Sequence, residues 1–159
     1  MRERGTRVQD MTKAIQWSCT DVEAYLSPLS YEALLDVGCG TDCLLAQLPP
    51  SNTRVHWEID LSQRLPFEDN TFDVVTCIHS FHQCPDPDKA MREILRVLKP
   101  GGRYLLSDQR DGVASLWRSR RRENRHSIRG YMERNGFINV VGTQVRGRVY
   151  TVIGRKPRG

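Results

Sequence analysis

The residues best placed for chemistry surround a glycine-rich stretch near position 40. Asp36 lies at the end of a short apolar run, and Gly38 and Gly40 follow it within four residues. Glycine has no Cβ, so the backbone can bend sharply there and a ligand can come close to it. Asp36 adds a fixed negative charge beside that gap. The stretch suits a ligand with positive charge near backbone amides, and a glycine-rich turn without a ligand is the alternative.

A nicotinamide dinucleotide is the obvious rival ligand for such a turn. Its fingerprint is G-x-G-x-x-G/A, in which the third small residue lets the following helix pack closely on the strand. Here the third position is Cys43 rather than glycine or alanine. The pattern therefore argues against a dinucleotide.

A second acidic residue, Asp60, follows a segment in which Val55, Trp57 and Ile59 alternate with polar residues. This alternation predicts a strand over residues 54–60. An acid at a strand end suits hydrogen bonding to the two ribose hydroxyls of an adenosine ligand. A solvated acid without a ligand is the other interpretation.

Two histidines, His79 and His82, follow an apolar segment that predicts a strand over residues 72–77. A neutral imidazole near pH 7 can accept a proton, so either histidine could act as a general base. Together with Cys84 they could also suggest zinc, but no further ligands at recognisable spacing complete a tetrahedral site. A structural role is the alternative for at least one of the two histidines.

Apolar runs and helical periodicity place these residues on an alternating α/β pattern. Strands are predicted over 33–37, 54–60, 72–77, 103–108, 137–141 and 148–153, and helices over 87–98 and 127–135, with helical spacing also over 11–26. Ligands of open α/β sheets bind at the carboxyl ends of the strands. The acids and histidines should therefore meet at one edge of a sheet.

Composition indicates a soluble globular chain of 159 residues, 38% hydrophobic and 27% charged. We expect a flexible tail over residues 1–10 and one domain over 11–159. The net charge of +5 permits an anionic partner without requiring one. No signal-peptide core or membrane-length apolar run is present in the sequence. Five cysteines without a paired framework predict free thiols and a cytoplasmic location.

Three stretches resemble the class I methyltransferases that use S-adenosylmethionine (SAM), in particular the type-11 and ubiquinone-biosynthesis-like family. Asp36, Gly38 and Gly40 resemble its first motif, although Asp42 replaces the last glycine of that motif. Residues 65–75 (LPFEDNTFDVV) give the most specific resemblance, and residues 93–108 (EILRVLKPGGRYLLSD) resemble the segment that follows. The resemblance is strong over 31–109 and looser over 127–156.

The resemblance implies a compact, Rossmann-like three-layer α/β sandwich with a mostly parallel sheet and an antiparallel C-terminal strand. It also implies SAM as cofactor and transfer of a methyl group by in-line displacement, with no metal. His79 and His82 are the implied catalytic residues. The implied cofactor-binding residues are Asp36, Gly38, Cys39, Gly40, Asp60, Leu61, Leu65, Ile78, His79 and Phe81.

The chain is short compared with the family between Asp60 and Leu65, where members usually have a helix and a strand. Either the second helix and third strand are deleted, which makes Asp60 the ribose acid, or residues 54–60 are the third strand. In the second case Asp60 lies nearer the adenine amino group. We favour the first, because residues 59–62 match the second-strand pattern better.

Three functions remain open from the sequence. The first is methyl transfer to a small-molecule acceptor. The second is a degenerate methyltransferase domain that binds a partner without catalysis, which the replacement at Asp42 and the shortened region favour. The third is a nucleic-acid methyltransferase that uses the arginine-rich run at 117–129, although a solvated helix face explains that run more simply. The sequence does not indicate an oligomeric state.

Overall fold

In a computed structural model, six strands form a single sheet flanked by helices. The residues described are 19–38, 53–57, 63–79, 81, 84–109, 128–146 and 149–159. The strands are β1 (Ala33–Val37), β2 (Thr53–Trp57), β3 (Phe72–Ile78), β4 (Leu98–Gln109), β5 (Ile138–Arg146) and β6 (Val149–Arg155). The helices are α1 (19–26), α2 (Pro87–Val97) and α3 (Ile128–Arg134).

The strand order across the sheet is β2-β1-β3-β4-β6-β5. The pairs β2–β1, β1–β3 and β3–β4 are parallel, and β6 is antiparallel to both β4 and β5. Among the described strands, β6 therefore runs opposite to the other five. The predicted mostly parallel sheet with an antiparallel C-terminal strand is confirmed.

Helices cover both faces of the sheet and so complete three layers. On one face, α1 buries Cys19, Val22 and Leu26 against side chains of β1, β3 and β4. On the other, apolar residues of α2 and α3, including Met91, pack on alternate side chains of the same strands. A sheet covered on both faces requires near-continuous apolar strands, which explains the uninterrupted runs in β1 and β3.

Local sequence signals determine the ends of α2 and α3. The Asp86 side chain accepts a hydrogen bond from the Lys89 backbone N–H at 3.1 Å, and Pro87 occupies the first helical position. At the end of α3, Gly136 has φ +102° and the Phe137 N–H donates to the Met132 carbonyl. That bond is typical of a glycine-terminated helix.

The position of β2 bears on the shortened region. β2 lies directly beside β1 in parallel, from Ala33↔Thr53 to Val37↔Trp57, as expected for the second strand. Within the described residues 63–71, which lead from β2 towards β3, there is neither helix nor strand. This arrangement favours deletion of the second helix and third strand.

Two expectations need correction. β4 begins at Leu98 rather than at position 103, because Leu98 pairs with Phe72, while Gly101 and Gly102 exchange backbone hydrogen bonds with Lys156. The cysteines are not all free: Cys19 is disulfide-bonded, with its partner outside the described residues. Cysteine spacing along the chain does not show which thiols meet in space.

Candidate functional site at the carboxyl edge of the sheet

The buried polar side chains of the described residues lie at one edge of the sheet. They are Asp36, Thr76, His79, Ser107, Asp108 and Thr151, each 8% exposed or less. Asp36 is on β1, Thr76 on β3 with His79 directly after it, and Ser107 and Asp108 on β4. These five are near the carboxyl ends of parallel strands, where ligands of this class of sheet bind. Thr151 is near the start of the antiparallel β6, opposite Ser107. Asp36 and His79 thus lie at the ends of the neighbouring strands β1 and β3. That they form one ligand site remains a prediction.

Asp36 is held by a neighbouring strand. Thr76 lies opposite it in the β1–β3 register, and the Thr76 hydroxyl donates a 2.7 Å hydrogen bond to Asp36 Oδ1. A bond to a charged acceptor is stronger than one between neutral groups, so this contact fixes the carboxylate at the strand end. Gly38, one residue beyond β1, is also buried. Sequence reasoning missed Thr76, although it is a polar residue within an apolar strand.

His79 has a left-handed backbone, with φ +54°, immediately after β3. Its backbone N–H donates to the Ser107 carbonyl at 2.8 Å, which ties the end of β3 to β4. A non-glycine residue in this conformation costs of order 1–3 kcal/mol, and such residues cluster at functional sites. The positive φ changes the direction of the backbone where β3 ends at the polar edge. The role of His79 as a base remains a prediction.

Ser107, Asp108 and Thr151 were not among the predicted site residues. The Thr151 hydroxyl donates to Ser107 Oγ at 3.0 Å across the β4–β6 pair, and Asp108 is fully buried. Burial raises the pKa of the Cys77 thiol well above its ordinary value, and the charges of Asp108 and Asp36 raise it further. Asp108 thus adds a second carboxyl group to this edge, on β4.

The apolar residues predicted to contact the cofactor are split between the two faces of the sheet. Leu65 and Phe81 belong to the cluster beneath α2, which also contains Leu35, whereas Ile78 belongs to the cluster beneath α1. All three are at most 6% exposed. Three apolar residues that are close in sequence therefore do not form one wall.

Several predicted site residues lie outside the described residues. They are Cys39, Gly40, Asp60, Leu61 and His82. Most of the arginine-rich run at 117–129 also lies outside, and Arg129 is exposed on α3. Among the residues described, no three His, Cys, Asp or Glu side chains are grouped as a metal site. No helix in the described part is long and apolar enough to cross a membrane.

Sheet order, helix placement and a polar carboxyl edge are those of the class I methyltransferase fold. Residues 35–106 match the methyltransferase domain family (type 11). The match includes most of β1, all of β2, β3 and α2, and most of β4. It also includes three of the six buried polar residues, namely Asp36, Thr76 and His79. The recognised family is therefore confirmed.

Two curated relatives show similarity over short segments. The chain is 54% identical over 46 residues to the sterol 4-C-methyltransferase strm-1 of Caenorhabditis elegans, covering 29% of this chain and 14% of the relative. It is 56% identical over 45 residues to the ubiquinone/menaquinone biosynthesis C-methyltransferase UbiE of Idiomarina loihiensis, covering 28% and 18%. Each alignment thus spans less than a fifth of the relative.

Similarity to solved structures extends over nearly the whole chain. The putative methyltransferase complexed with the Haloferax volcanii Trm112 methyltransferase activator is matched with a TM-score of 0.69 at 16% identity. That alignment covers 96% of this chain and 94% of the other. At this identity the likeness shows the fold alone.

Proposed function

We propose that this chain is a SAM-dependent methyltransferase that acts on a small-molecule acceptor. The observation that carries the proposal is the buried polar edge formed by Asp36, Thr76 and His79 within the region of the methyltransferase match, with Asp108 just beyond its end. Buried polar groups at the carboxyl ends of three adjacent strands are costly for folding alone, and a bound polar ligand accounts for their retention there.

The residues of this edge fit the cofactor chemically. Asp36, whose carboxylate Thr76 holds in place, suits the cationic amino group of the amino-acid end. Gly38, with Cys39 and Gly40, would offer backbone contact, and Asp60 would hold the ribose. Leu61 and Leu65 would flank adenine, while His79, Phe81 and His82 would border the methyl donor and the acceptor.

SAM would supply a methyl group bound to a sulfonium sulfur. When the acceptor takes that methyl group, the leaving group is a neutral thioether, which needs no acid catalysis. The work of the chain is then to hold the acceptor in line with that methyl group and to exclude water. His79 or His82 would accept a proton from the acceptor where its nucleophilic atom carries one. Both curated relatives are named as C-methyltransferases, of a sterol and in quinone biosynthesis, which supports a small organic acceptor.

Calorimetric titration with SAM and S-adenosylhomocysteine tests the proposal. We expect micromolar binding of both, abolished by Asp60→Ala and weakened by Asp36→Ala. The absence of heat for either ligand, with a protein that circular dichroism shows to be folded, would overturn it. Confirmed binding would be followed by a screen of phenols, sterols and quinols for methyl transfer from labelled SAM.

A second candidate is a methyltransferase-like domain that binds a partner without catalysis. The specific observation in its favour is the path from β2 to β3, in which the described residues 63–71 contain no helix or strand. A thin wall on the adenine side would lower affinity for the cofactor. Failure of the folded protein to bind S-adenosylhomocysteine would select this candidate over the first.

A further inference from the structure

The loop over residues 63–71, which we call the adenosine loop, is held by side chains of α2 rather than by regular secondary structure. Leu65 is only 2% exposed, and both of its backbone polar groups are bound by that helix. Its N–H donates to Glu93 Oε2 at 2.8 Å, and its carbonyl accepts from Arg96 Nη2 at 3.1 Å. The backbone position of Leu65 is therefore set from α2.

Arg96 contacts both the adenosine loop and Glu93 on its own helix. Its Nη1 donates to the Phe67 carbonyl at 2.7 Å and to Asp69 Oδ1 at 2.9 Å. Its Nε and Nη2 donate to the two carboxylate oxygens of Glu93, each at 2.9 Å. This bidentate pair orients the guanidinium, so its remaining donors point at the loop with little freedom.

The pair is mostly buried and remains charged. The Arg96 and Glu93 side chains are 17% and 14% exposed. The hydrogen bond from Arg96 holds the pKa of Glu93 below its ordinary value, and the bond to Glu93 raises the pKa of Arg96. Loss of Arg96 would leave the partly buried Glu93 charge unpaired and the backbone carbonyls of Leu65 and Phe67 without their donor.

Chain connectivity links this anchor to the ligand site. Leu65 is five residues after Asp60, and five extended residues span at most about 17 Å. The Leu65 side chain also packs in the cluster that contains Leu35 and Val37, on the strand that leads to the glycine turn. Fixing the backbone of Leu65 therefore fixes a side chain that is predicted to flank adenine.

We propose that Arg96 is a positioning residue for the adenosine half of SAM, acting through the backbone of Leu65. This inference rests on the proposed function and adds a residue that does not itself touch the ligand. The described residues 63–71 before β3 contain no helix or strand, so the side-chain anchor takes over the placement that such elements would give.

The test compares two ligands in three proteins. S-adenosylhomocysteine carries the adenosine and the amino-acid end, whereas methylthioadenosine keeps the adenosine and lacks the amino-acid end. Arg96→Met removes the donors and keeps most of the apolar stem. Arg129→Met is the matched control, because Arg129 forms an exposed pair with Glu133 on α3 at 3.1 Å, away from this loop.

We expect Arg96→Met to raise the dissociation constants of both ligands by about the same factor, roughly tenfold, as for loss of one good hydrogen bond. Arg129→Met should leave both within twofold. Arg96→Lys keeps the charge without the forked geometry, and should give an intermediate loss with a more stable protein. If Arg96→Met does not fold, the same comparison of the two ligands is made with Arg96→Lys.

The outcomes separate this inference from the function beneath it. Wild-type protein that binds neither ligand overturns the proposed function, and the positioning role is overturned with it. Wild-type binding that is unchanged in a folded Arg96 variant overturns the positioning role alone. A loss for S-adenosylhomocysteine without a loss for methylthioadenosine also overturns it, because the effect would then lie at the amino-acid end.

Discussion

The Thr76 hydroxyl donates a 2.7 Å hydrogen bond to the Asp36 carboxylate, between strands that are 40 residues apart in the chain. Both side chains are buried, at 0% and 4% exposure. The contact joins the centre of the sheet to the start of the glycine turn. It orients a carboxylate at the place where a cationic ligand end is expected.

Replacing Thr76 by valine tests this contact. The substitution keeps the shape and removes the donor, so Asp36 loses a charge-assisted bond in a buried setting. We expect a loss of about 1.5–3 kcal/mol in the free energy of unfolding by urea, and weaker binding of S-adenosylhomocysteine. Thr71→Val is the control, since it removes only an exposed bond to the Glu68 carbonyl and should cost less. Equal losses in the two variants would contradict the argument.

The left-handed backbone at His79 predicts a difference between two substitutions. Asparagine tolerates positive φ, whereas a β-branched side chain there is a strong outlier. His79→Val should therefore be less stable than His79→Asn by about 1–2 kcal/mol in denaturant unfolding. Both variants lack the imidazole, so methyl transfer, once an acceptor is found, should fall in both. Equal stability would show that the φ of +54° carries no strain.

Acid sensitivity should arise partly from Asp73. Burial raises its pKa, but hydrogen bonds from the Ala33 and Glu32 backbone and from Lys99 outweigh this and leave the pKa below its ordinary value. A depressed folded pKa adds stability above the unfolded pKa, near 4, and that stability is lost as pH falls through the folded value. Between pH 6 and 2, the free energy of unfolding should thus fall less steeply for Asp73→Asn than for wild type. Parallel curves would contradict this.

Replacing Gly102 or Gly142 by alanine should change the free energy of unfolding differently, with a loss at Gly102 and little change or a small gain at Gly142. A Cβ at Gly102 would lie 2.8 Å from the Lys99 carbonyl oxygen and 3.1 Å from that of Asp73, both backbone atoms. Gly102→Ala should cost about 1–3 kcal/mol in thermal or denaturant unfolding. At Gly142 the nearest atom would be a Val152 methyl at 3.8 Å, so Gly142→Ala should be neutral or slightly stabilising. A neutral Gly102→Ala would show that β4 can shift to make room.

Much of the fold could be predicted from local signals. The apolar runs of β1 and β3, the capped start of α2 at Asp86 and the glycine after α3 each specify structure over a few residues. For the same reason, the sequence placed Asp36 and His79 at strand ends. Resemblance to the methyltransferases added the mostly parallel sheet with an antiparallel C-terminal strand, because apolar patterns show burial without showing which strands are neighbours.

The tertiary structure alone decided which polar groups meet. Thr76 and Asp36 are 40 positions apart, Ser107 and Thr151 are 44 apart, and the carbonyl held by Arg96 at Leu65 is 31 away. Such contacts depend on strand register and on where a helix lies across the sheet, and neither leaves a periodic trace in the chain. The sequence by itself determined the elements and the strand ends that carry the acids and histidine. Folding determined the buried network between them, since hydrogen bonds require distances near 3 Å that only packing sets.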